Sequence, residues 1–400
     1  MPSKMSLMCR AAISNAVHSR VSRAGVVHAQ ALFRHLRPTS ALIMGGDADR
    51  RALAAANALE SMLDGCPMPA LVLTRSGSPL ASRLLQGAAP ATEIDGGCRY
   101  SYLNGLGIEP VHSLLTGLAA AQACGEPGDL SAWCRAFLCA VDARNAVSLA
   151  SMALLAAQDD WQIADFAEYA GLPMQMVSVL RAYPGQAVRS LIQDMANKLP
   201  FAGAGEEEEL CLLGLAAACS ETQATHVLLL DCFGRGTQAL TNACLAAELG
   251  ELMKYQTPFA LVLDGVLMAD EQDPLLGLLP GLWNHPLARV VLSAASPAAV
   301  PGGLEALQGF GLQVVYPFGD IGDTLQTVLD GYGRYWHAEV NTSVNRRPFS
   351  MPFSRRDNYA IVHVERPVVE KADCSGCEAI ISSGGCGHPE FLLASRFICR

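Results

Sequence analysis

The sequence predicts an α/β protein with a doubly wound, mostly parallel sheet, an all-α insertion and an irregular Cys-rich tail. Short, almost uninterrupted apolar runs such as ALIMGG, PALVLT and FALVLD recur along the chain, each followed by a stretch with helical periodicity. Strands that are apolar at nearly every residue are typical of sheets covered by helices on both faces. With 51% hydrophobic residues, the 400-residue chain can bury a large core.

The first part of the core is predicted within residues 38–109, after a basic N-terminal segment of residues 1–37. The strand ALIMGG is followed by the Ala-rich helix DADRRALAAANALESML, for which Asp47 or Asp49 supplies the N-cap. The strand PALVLTR comes next, at residues 69–75. Strand, helix and strand at this spacing predict a parallel crossover, the unit of an α/β sheet.

Residues 110–219 lack strand signals, and their apolar residues recur at helical spacing, which predicts the all-α insertion. The α/β pattern resumes over residues 220–340, where the predicted strands are THVLLLDCF, PFALVLDGV, ARVVLSAAS and LQVVYPF. Residues 341–400 become polar and irregular, so we expect a linker followed by a Cys-rich tail there.

Composition limits the classes of function. The formal net charge of −10 argues against a broad surface for nucleic acid or an anionic membrane, although it leaves room for a local basic patch. No apolar run reaches the length of a membrane-spanning helix. Many cysteines lie in apolar segments with helical periodicity, where free thiols are typical of a reducing compartment. We therefore expect a cytoplasmic protein. The basic, acid-free N-terminus fits either a surface helix or a transit peptide.

The turn after the first strand, GGDADRRA, is the first candidate site, because ligands of open α/β sheets bind at the carboxyl ends of strands. A phosphate-binding loop has the spacing G-x-x-x-x-G-K-[ST], since bare backbone amides must wrap the phosphates. In that frame Gly45 is the first glycine, and Gly46 follows it. Arg50 stands at the second glycine, Arg51 at the lysine and Ala52 at the hydroxyl residue.

Asp264, at the end of FALVLD, is the second candidate, because a metal-holding carboxylate belongs at such a strand end. The residue after it is Gly265, which leaves no carboxylate to orient or activate water. The alternative is that Asp264 only caps the following turn. The strand VVLSAAS is the third candidate, where a polar γ-phosphate sensor would lie; Ala295 cannot serve, and Ser293 and Ser296 are weak substitutes.

The order of these segments resembles the cytosolic ATPase domain of conjugative coupling proteins, the TraG/TraD type within the FtsK/HerA superfamily. The resemblance extends over roughly residues 25–340 and is carried by ALIMGGDADRRA, PALVLTRSGSPL, GLGIEPVHSLLTGL, HVLLLDCF, FALVLDGV, VVLSAAS and LQVVYPFGDIGDTLQTVLDGYG. It implies a P-loop NTPase fold, with ATP and Mg²⁺ held at Gly45, Gly46 and Arg51, and with Asp264 as the catalytic acid. It also implies that the chain forms an oligomer and that its protein partner is a ring ATPase or a secretion-system component. DNA is a further partner that the resemblance implies.

The chain departs from that family at the catalytic positions, where Arg50 replaces glycine, Ala52 replaces Ser or Thr, Gly265 replaces Glu and Ala295 replaces Gln. We therefore expect a pseudo-ATPase, acting as an adaptor or partner in conjugative DNA transfer or type IV secretion. One alternative is an active ATP-dependent DNA translocase in which Arg51 and Asp264 suffice. The other is an unrelated α/β binding module with a zinc-stabilised tail.

The tail sequence ADCSGCEAIISSGGCGHPEF is the fourth candidate. Cys374 and Cys377 form a C-x2-C pair, and Cys386 with His388 follows after a Gly-containing stretch, which gives enough thiolate and imidazole ligands for tetrahedral zinc. Cys399 is an alternative fourth ligand. The opposing interpretation is a tail with free thiols.

Three weaker features complete the set. Arg235 and Gly236 would lie either in an exposed turn or against a neighbouring subunit's nucleotide in a ring. The aromatic cluster is predicted to be a packed helix end and only secondarily a surface that stacks single strands; it contains Tyr332, Tyr335, Trp336 and His337. The basic stretch is predicted to be an exposed linker and only secondarily a phosphate contact; it contains Arg346, Arg347, Arg355 and Arg356.

Overall fold

The computed structural model describes residues 21–64, 66–74, 77–87, 90–94, 100–122, 127–199, 210–231, 238–265, 274–300, 309–317, 322–344, 357–370, 377–384 and 390–398. The strands are β1 Val21–His28, β2 Ser40–Met44, β3 Pro69–Thr74, β4 Ala91–Ile94, β5 His226–Asp231, β6 Phe259–Asp264, β7 Ala288–Ala294, β8 Leu312–Val315, β9 Arg334–Val344, β10 Asp357–Pro367, β11 Ala379–Ser383 and β12 Phe391–Ile398.

The helices are numbered in the same way, from the N-terminus to the C-terminus. They are α1 Ala29–Leu36, α2 Ala48–Leu63, α3 Pro79–Leu85, α4 Ile108–Gln122, α5 Pro127–Asp142, α6 Leu149–Ala156, α7 Asp160–Tyr169, α8 Met174–Ala182, α9 Gln186–Lys198, α10 Leu212–Thr222, α11 Gln238–Lys254, α12 Pro274–Leu282 and α13 Gly322–Asp330. A 3₁₀ turn spans Pro297–Ala299. Among the described helices, none is both long enough and apolar enough to cross a bilayer.

The chain divides into two compact units, residues 1–51 with 294–400, and residues 52–293. The second unit holds five parallel strands in the order β7-β6-β3-β5-β4. The central strand β3 is buried at every residue, as a strand covered on both faces must be. The predicted mostly parallel α/β sheet is therefore confirmed.

The structure also contains the helices expected of the all-α insertion, because α4 to α10 lie between β4 and β5. Helix α5 packs on α4 and α8, and α9 packs on α4 and α6. Local sequence signals begin several of these helices. Ser148 and Ser151 form a capping box at α6, and Asp159 and Gln162 form one at α7.

The first unit contains five other strands of the sheet, in the order β1-β12-β11-β8-β2. The pairs β2–β8 and β1–β12 are parallel, whereas β11 runs antiparallel to both β8 and β12. Strands β9 and β10 form a separate antiparallel pair, with Arg334 opposite Pro367 and Val344 opposite Asp357.

Regular structure extends further than the sequence indicates at both ends. The segment 341–400, predicted to be a linker and Cys-rich tail, contains the end of β9 and all of β10, β11 and β12. The basic segment 1–37 contains β1 and α1. Strand β11 is short, and its buried residues pair with β8 and β12. Strand β8 lies far from β11 in the sequence, and residues 384–390 separate β11 from β12. Local periodicity does not show such pairing. In the aromatic cluster, Tyr332 follows α13, whereas Tyr335, Trp336 and His337 lie on β9.

Candidate functional site

The turn after β2 consists of Gly45, Gly46 and Asp47, and α2 begins at Ala48. Both glycines have left-handed backbone angles, with φ of 76° and 64°. At Gly46 a β-carbon would also lie 3.0 Å from Cβ of buried Tyr316. The backbone N–H of Tyr316 in turn donates to the carbonyl of Met44. Glycine at this position is therefore explained by backbone conformation and by packing against Tyr316.

Asp47 is the N-cap of α2, which settles the choice between the two predicted caps. Its Oδ1 accepts the backbone N–H of Arg50 at 2.8 Å, and its Oδ2 lies 3.2 Å from Nε of the same arginine. Arg50 also reaches Glu378, with 3.4 Å between Nη1 and Oε1. A carboxylate of the protein thus occupies the helix N-terminus, the place at which a helix offers amides and a positive dipole end to an anion.

Arg51 turns back onto the loop instead of extending from it. Its Nη1 donates to the carbonyl oxygens of Gly46 at 2.7 Å and Gly45 at 3.1 Å. Because α2 begins at Ala48, five of the eight residues 45–52 are helical. Ala52, the residue in the hydroxyl position of the phosphate-loop frame, is fully buried. This turn presents a guanidinium bonded to carbonyls where a phosphate loop presents bare amides.

In the second unit, Asp264 ends β6 beside the neighbouring strand β3. Its Oδ2 lies 3.1 Å from Oγ1 of Thr74 and 3.2 Å from Oγ of Ser78. Thr74 also donates to Ser78 at 2.7 Å, and the Ser78 oxygen accepts the N–H groups of Leu80 and Ala81. A consistent proton arrangement runs from Thr74 to Ser78 to Asp264. The carboxylate therefore joins two strand ends to the capped N-terminus of α3.

Gly265 has a φ of 63°, and its N–H donates to the carbonyl of Ser293 at 3.0 Å. A β-carbon built on Gly265 would meet no atom within 4 Å, so backbone conformation and not space favours glycine. The hydroxyl of Ser293 is buried and has no hydrogen-bond partner in the described chain. Ala295 is exposed and Ser296 half-buried. Ser293 is thus the predicted sensor position least accessible to a ligand.

Several predicted features lie outside the described residues. Among the tail ligands, Cys374, Cys386 and His388 fall there, and so does Cys399. Cys377 is half-buried just before β11. Within the described ranges no group of three or more His, Cys, Asp or Glu side chains is placed to hold a metal. The zinc site stays a prediction. Also outside are Arg235, Gly236 and the arginines at 346, 347, 355 and 356.

A buried polar cluster surrounds Glu248 on α11, and no local sequence pattern indicates it. Glu248 accepts the Tyr100 hydroxyl at 2.6 Å and the backbone N–H of Leu103 at 2.7 Å, and Tyr100 accepts the N–H of Leu212 at 3.0 Å. Burial raises the pKa of Glu248 to about 7, against the lowering effect of both hydrogen bonds, and raises the pKa of Tyr100 well above its usual range. Leu103 lies between β4 and α4, and Leu212 is the first residue of α10.

Sequence signals for these additional residues differ in strength. Ser78 before Pro79 is a standard helix start, with an N-cap serine and proline at the first helical position, and it indicates α3. Nothing local indicates that Ser78 also contacts Asp264, 186 residues away in the chain. Glu248 is one acid in an ordinary helical pattern, and its burial depends on Tyr100, 148 residues away.

Comparison with known proteins gives matches among solved structures. No protein-family model and no curated protein matches the chain. The unbound monoclinic form of the bacterial conjugative coupling protein TrwBΔN70 matches with a TM-score of 0.53 at 12% identity, over 92% of this chain and 86% of that one. Its trigonal form with sulphate has a TM-score of 0.53 at 12% identity, over 96% and 91%.

The plasmid coupling protein TrwB in complex with ADP and Mg²⁺ matches with a TM-score of 0.51 at 12% identity, over 96% of this chain and 90% of that one. At this identity the likeness concerns the fold and leaves the activity open. The matches extend over nearly the full length of both chains, and they agree with the resemblance carried by the sequence. The chain therefore has the fold of a conjugative coupling protein of the P-loop ATPase type.

Proposed function

We propose that this protein is a cytoplasmic, non-hydrolysing relative of coupling ATPases that acts as an adaptor or partner in conjugative DNA transfer or type IV secretion. The fold that it shares with the conjugative coupling protein TrwB supports a role in conjugation or secretion. Its partner is a motif-complete ring ATPase or another component of the secretion apparatus, because a subunit that cannot hydrolyse ATP depends on one that can.

The observation that carries this proposal is the bonding of the turn after β2. Arg51 donates to the carbonyls of Gly45 and Gly46, and Asp47 caps the helix that follows. Binding a triphosphate there requires breaking these internal bonds, and it places phosphate beside the Asp47 carboxylate. Like charges within a few ångströms repel by about 1 kcal/mol in water and by more where solvent is reduced.

The strand end at Asp264 supports the same conclusion. The carboxylate is engaged by Thr74 and Ser78, and Gly265 supplies no second acid. A general base for the attacking water must lie within hydrogen-bond reach of it. Gly265, the residue after Asp264, has no side chain that could serve as this base.

The decisive experiment is calorimetry of ATP with Mg²⁺ on the purified full chain, with a motif-complete coupling ATPase as positive control. TrwB has been solved with ADP and Mg²⁺, which makes this nucleotide class the ligand to test. We expect no binding heat up to millimolar ATP. Micromolar binding that Arg51→Gln abolishes would show that Arg51 acts as the phosphate-binding cation, and the hydrolysis assay with DNA would then decide between the proposal and an active translocase.

Hydrolysis in the presence of DNA separates the proposal from an active translocase. We expect no phosphate release above background for the wild type, with or without single- or double-stranded DNA. A translocase would instead show DNA-stimulated hydrolysis that Asp264→Ala removes. Asp264→Asn is the matched variant, since it keeps the contacts to Thr74 and Ser78 while removing the metal-holding charge.

A further inference from the structure

A groove on the all-α insertion has the size of a ligand site. It has a volume of about 630 Å³ and is lined by residues from α5, α6, α7 and their connections, among them Arg144, Asn145, Leu154, Gln158, Gln162 and Phe166. Pockets that take small ligands range over about 300–1,000 Å³. The groove lies wholly within the second compact unit.

The charge of the groove is one-sided. Arg144 lines it, and its Cζ lies 5.8 Å from the centroid of the Phe166 ring, while no Asp or Glu is among the lining residues. The other arginines described in helices α4 to α9 each pair with a carboxylate: Arg135 with Glu109, Arg181 with Asp165 and Glu168, and Arg189 with Asp160. Within the described chain, Arg144 has no such partner.

The remaining lining groups suit a peptide backbone. The side chains of Asn145 and Gln158 each carry one donor group and one acceptor, and neither makes a side-chain hydrogen bond within the described residues. Primary amides match the donor and acceptor of a peptide group. Leu154, 58% exposed on the same groove, offers an apolar contact.

From this arrangement we propose that the groove binds an extended, acidic segment of a partner protein, with a carboxylate of the segment paired to Arg144. Nucleic acid is the weaker fit. A strand of phosphates is held by several cations, whereas the groove presents one, on a chain with a net charge of −10. The inference goes beyond the proposed adaptor function and does not rest on it.

Fluorescence anisotropy with three labelled peptides on the full chain tests the inference. The peptides are ALSELSELA and the same sequence with Gln or Lys in place of both glutamates. We expect the glutamate peptide to bind, the glutamine peptide to bind less tightly, and the lysine peptide not to bind. Arg144→Gln should weaken binding of the glutamate peptide by about tenfold or more, because it removes a charge-assisted hydrogen bond.

Arg181→Gln is the matched control, since Arg181 is exposed on the same insertion and lies outside the groove. Leu154→Ser provides a second variant at the exposed rim and should weaken all peptides that bind. The inference is wrong if the glutamate peptide does not bind at millimolar concentration, or binds no better than the lysine peptide. It is also wrong if Arg144→Gln and Arg181→Gln behave alike. Binding of oligo-dT that Arg144→Gln abolishes, without peptide binding, would assign the groove to nucleic acid instead.

Discussion

At the scale of single residues, charges that a phosphate site would use are bonded to the protein itself. Arg51 is bonded to loop carbonyls and Arg50 is paired with Asp47 and Glu378. Each of these bonds is partly exposed, so each is worth little alone, about 0–1 kcal/mol. Together they define one arrangement of the turn, and a ligand must compete with all of them.

Glu248 is a buried carboxyl group whose protonation should affect stability. Its pKa is raised in the folded protein from the ordinary value of 4.5 to about 7, chiefly by burial. Between these two values the folded state binds more protons than the unfolded state, so stability falls as the pH rises. Over the whole window, from about pH 4.5 to about pH 7, the expected loss is roughly 3 kcal/mol, and above it there is no further change.

Urea denaturation of the wild type and Glu248→Gln at pH 5, 6, 7 and 8 measures this effect. The stability advantage of the wild type over the variant should shrink from pH 5 to pH 7 and then level off. Half-buried His226 has the opposite effect: burial lowers its pKa, so its contribution makes the protein less stable as the pH falls. This contribution is the same in the wild type and the variant, and it cancels when their stabilities are subtracted. A stability difference between the wild type and Glu248→Gln that stays constant from pH 5 to pH 8 would contradict a raised pKa of Glu248.

Gly265, the residue after Asp264, has a backbone conformation that favours glycine. Its φ is 63°, and a β-carbon at this position would have open space around it, so Gly265→Glu should destabilise the protein through conformation alone, by about 1–2 kcal/mol. Gly265→Asn should be milder, since asparagine tolerates left-handed angles. Denaturation midpoints of the three proteins compare them. A fully tolerated Gly265→Glu with restored hydrolysis would show that the strand end can still serve as a catalytic site.

At the scale of elements, the early start of α2 matters more than any one substitution. Three residues join β2 to this helix, and the helix is capped by Asp47, so the turn is short and internally bonded. A glycine, a lysine and a serine introduced at positions 50, 51 and 52 would lie within the first turns of α2. Motif residues without the loop conformation do not form a phosphate cradle.

Helix α9 begins where Gly185 lies directly over Trp133 of α5. A β-carbon at Gly185 would lie 1.9 Å from Cζ2 of this buried ring, so something must move. We expect Gly185→Ala to destabilise the insertion by about 1–3 kcal/mol through overpacking. Denaturation followed by tryptophan fluorescence measures the change.

Gly117, inside α4, is the matched control, because a β-carbon there would meet no atom within 4 Å. Gly117→Ala should stabilise the protein slightly, by about 0.5–1 kcal/mol, since alanine is the better helix former. If both substitutions have the same effect, the contact of Gly185 with Trp133 is not what limits this position.

At the scale of the whole molecule, the TrwB-like fold and the proposed loss of hydrolysis together predict a partner. Purified from cells that express a conjugative or type IV secretion system, the tagged chain should retain a larger, motif-complete ATPase. Mass spectrometry of the retained proteins identifies it, and the same purification from cells lacking the system is the control. Retention of no ATPase, by a chain that binds nucleotide itself, would favour the translocase alternative.

The sequence by itself determined the α/β class, the all-α insertion and the strands that end at Met44 and Asp264. These follow from apolar periodicity, which is local and is read along a single segment. The departures at Arg50, Ala52 and Gly265 are likewise visible in the sequence.

Only the tertiary structure decided what these residues do. Arg51 bonded to loop carbonyls, Asp264 bonded to Thr74 and Ser78, and Glu248 buried against Tyr100 all depend on chain folding that brings separate segments or turns together. Strands β11 and β12 belong to the same category, because their pairing partners include β8 and β1 at distant positions. Such contacts are set by packing of the whole chain, and the residue types along one segment do not specify them.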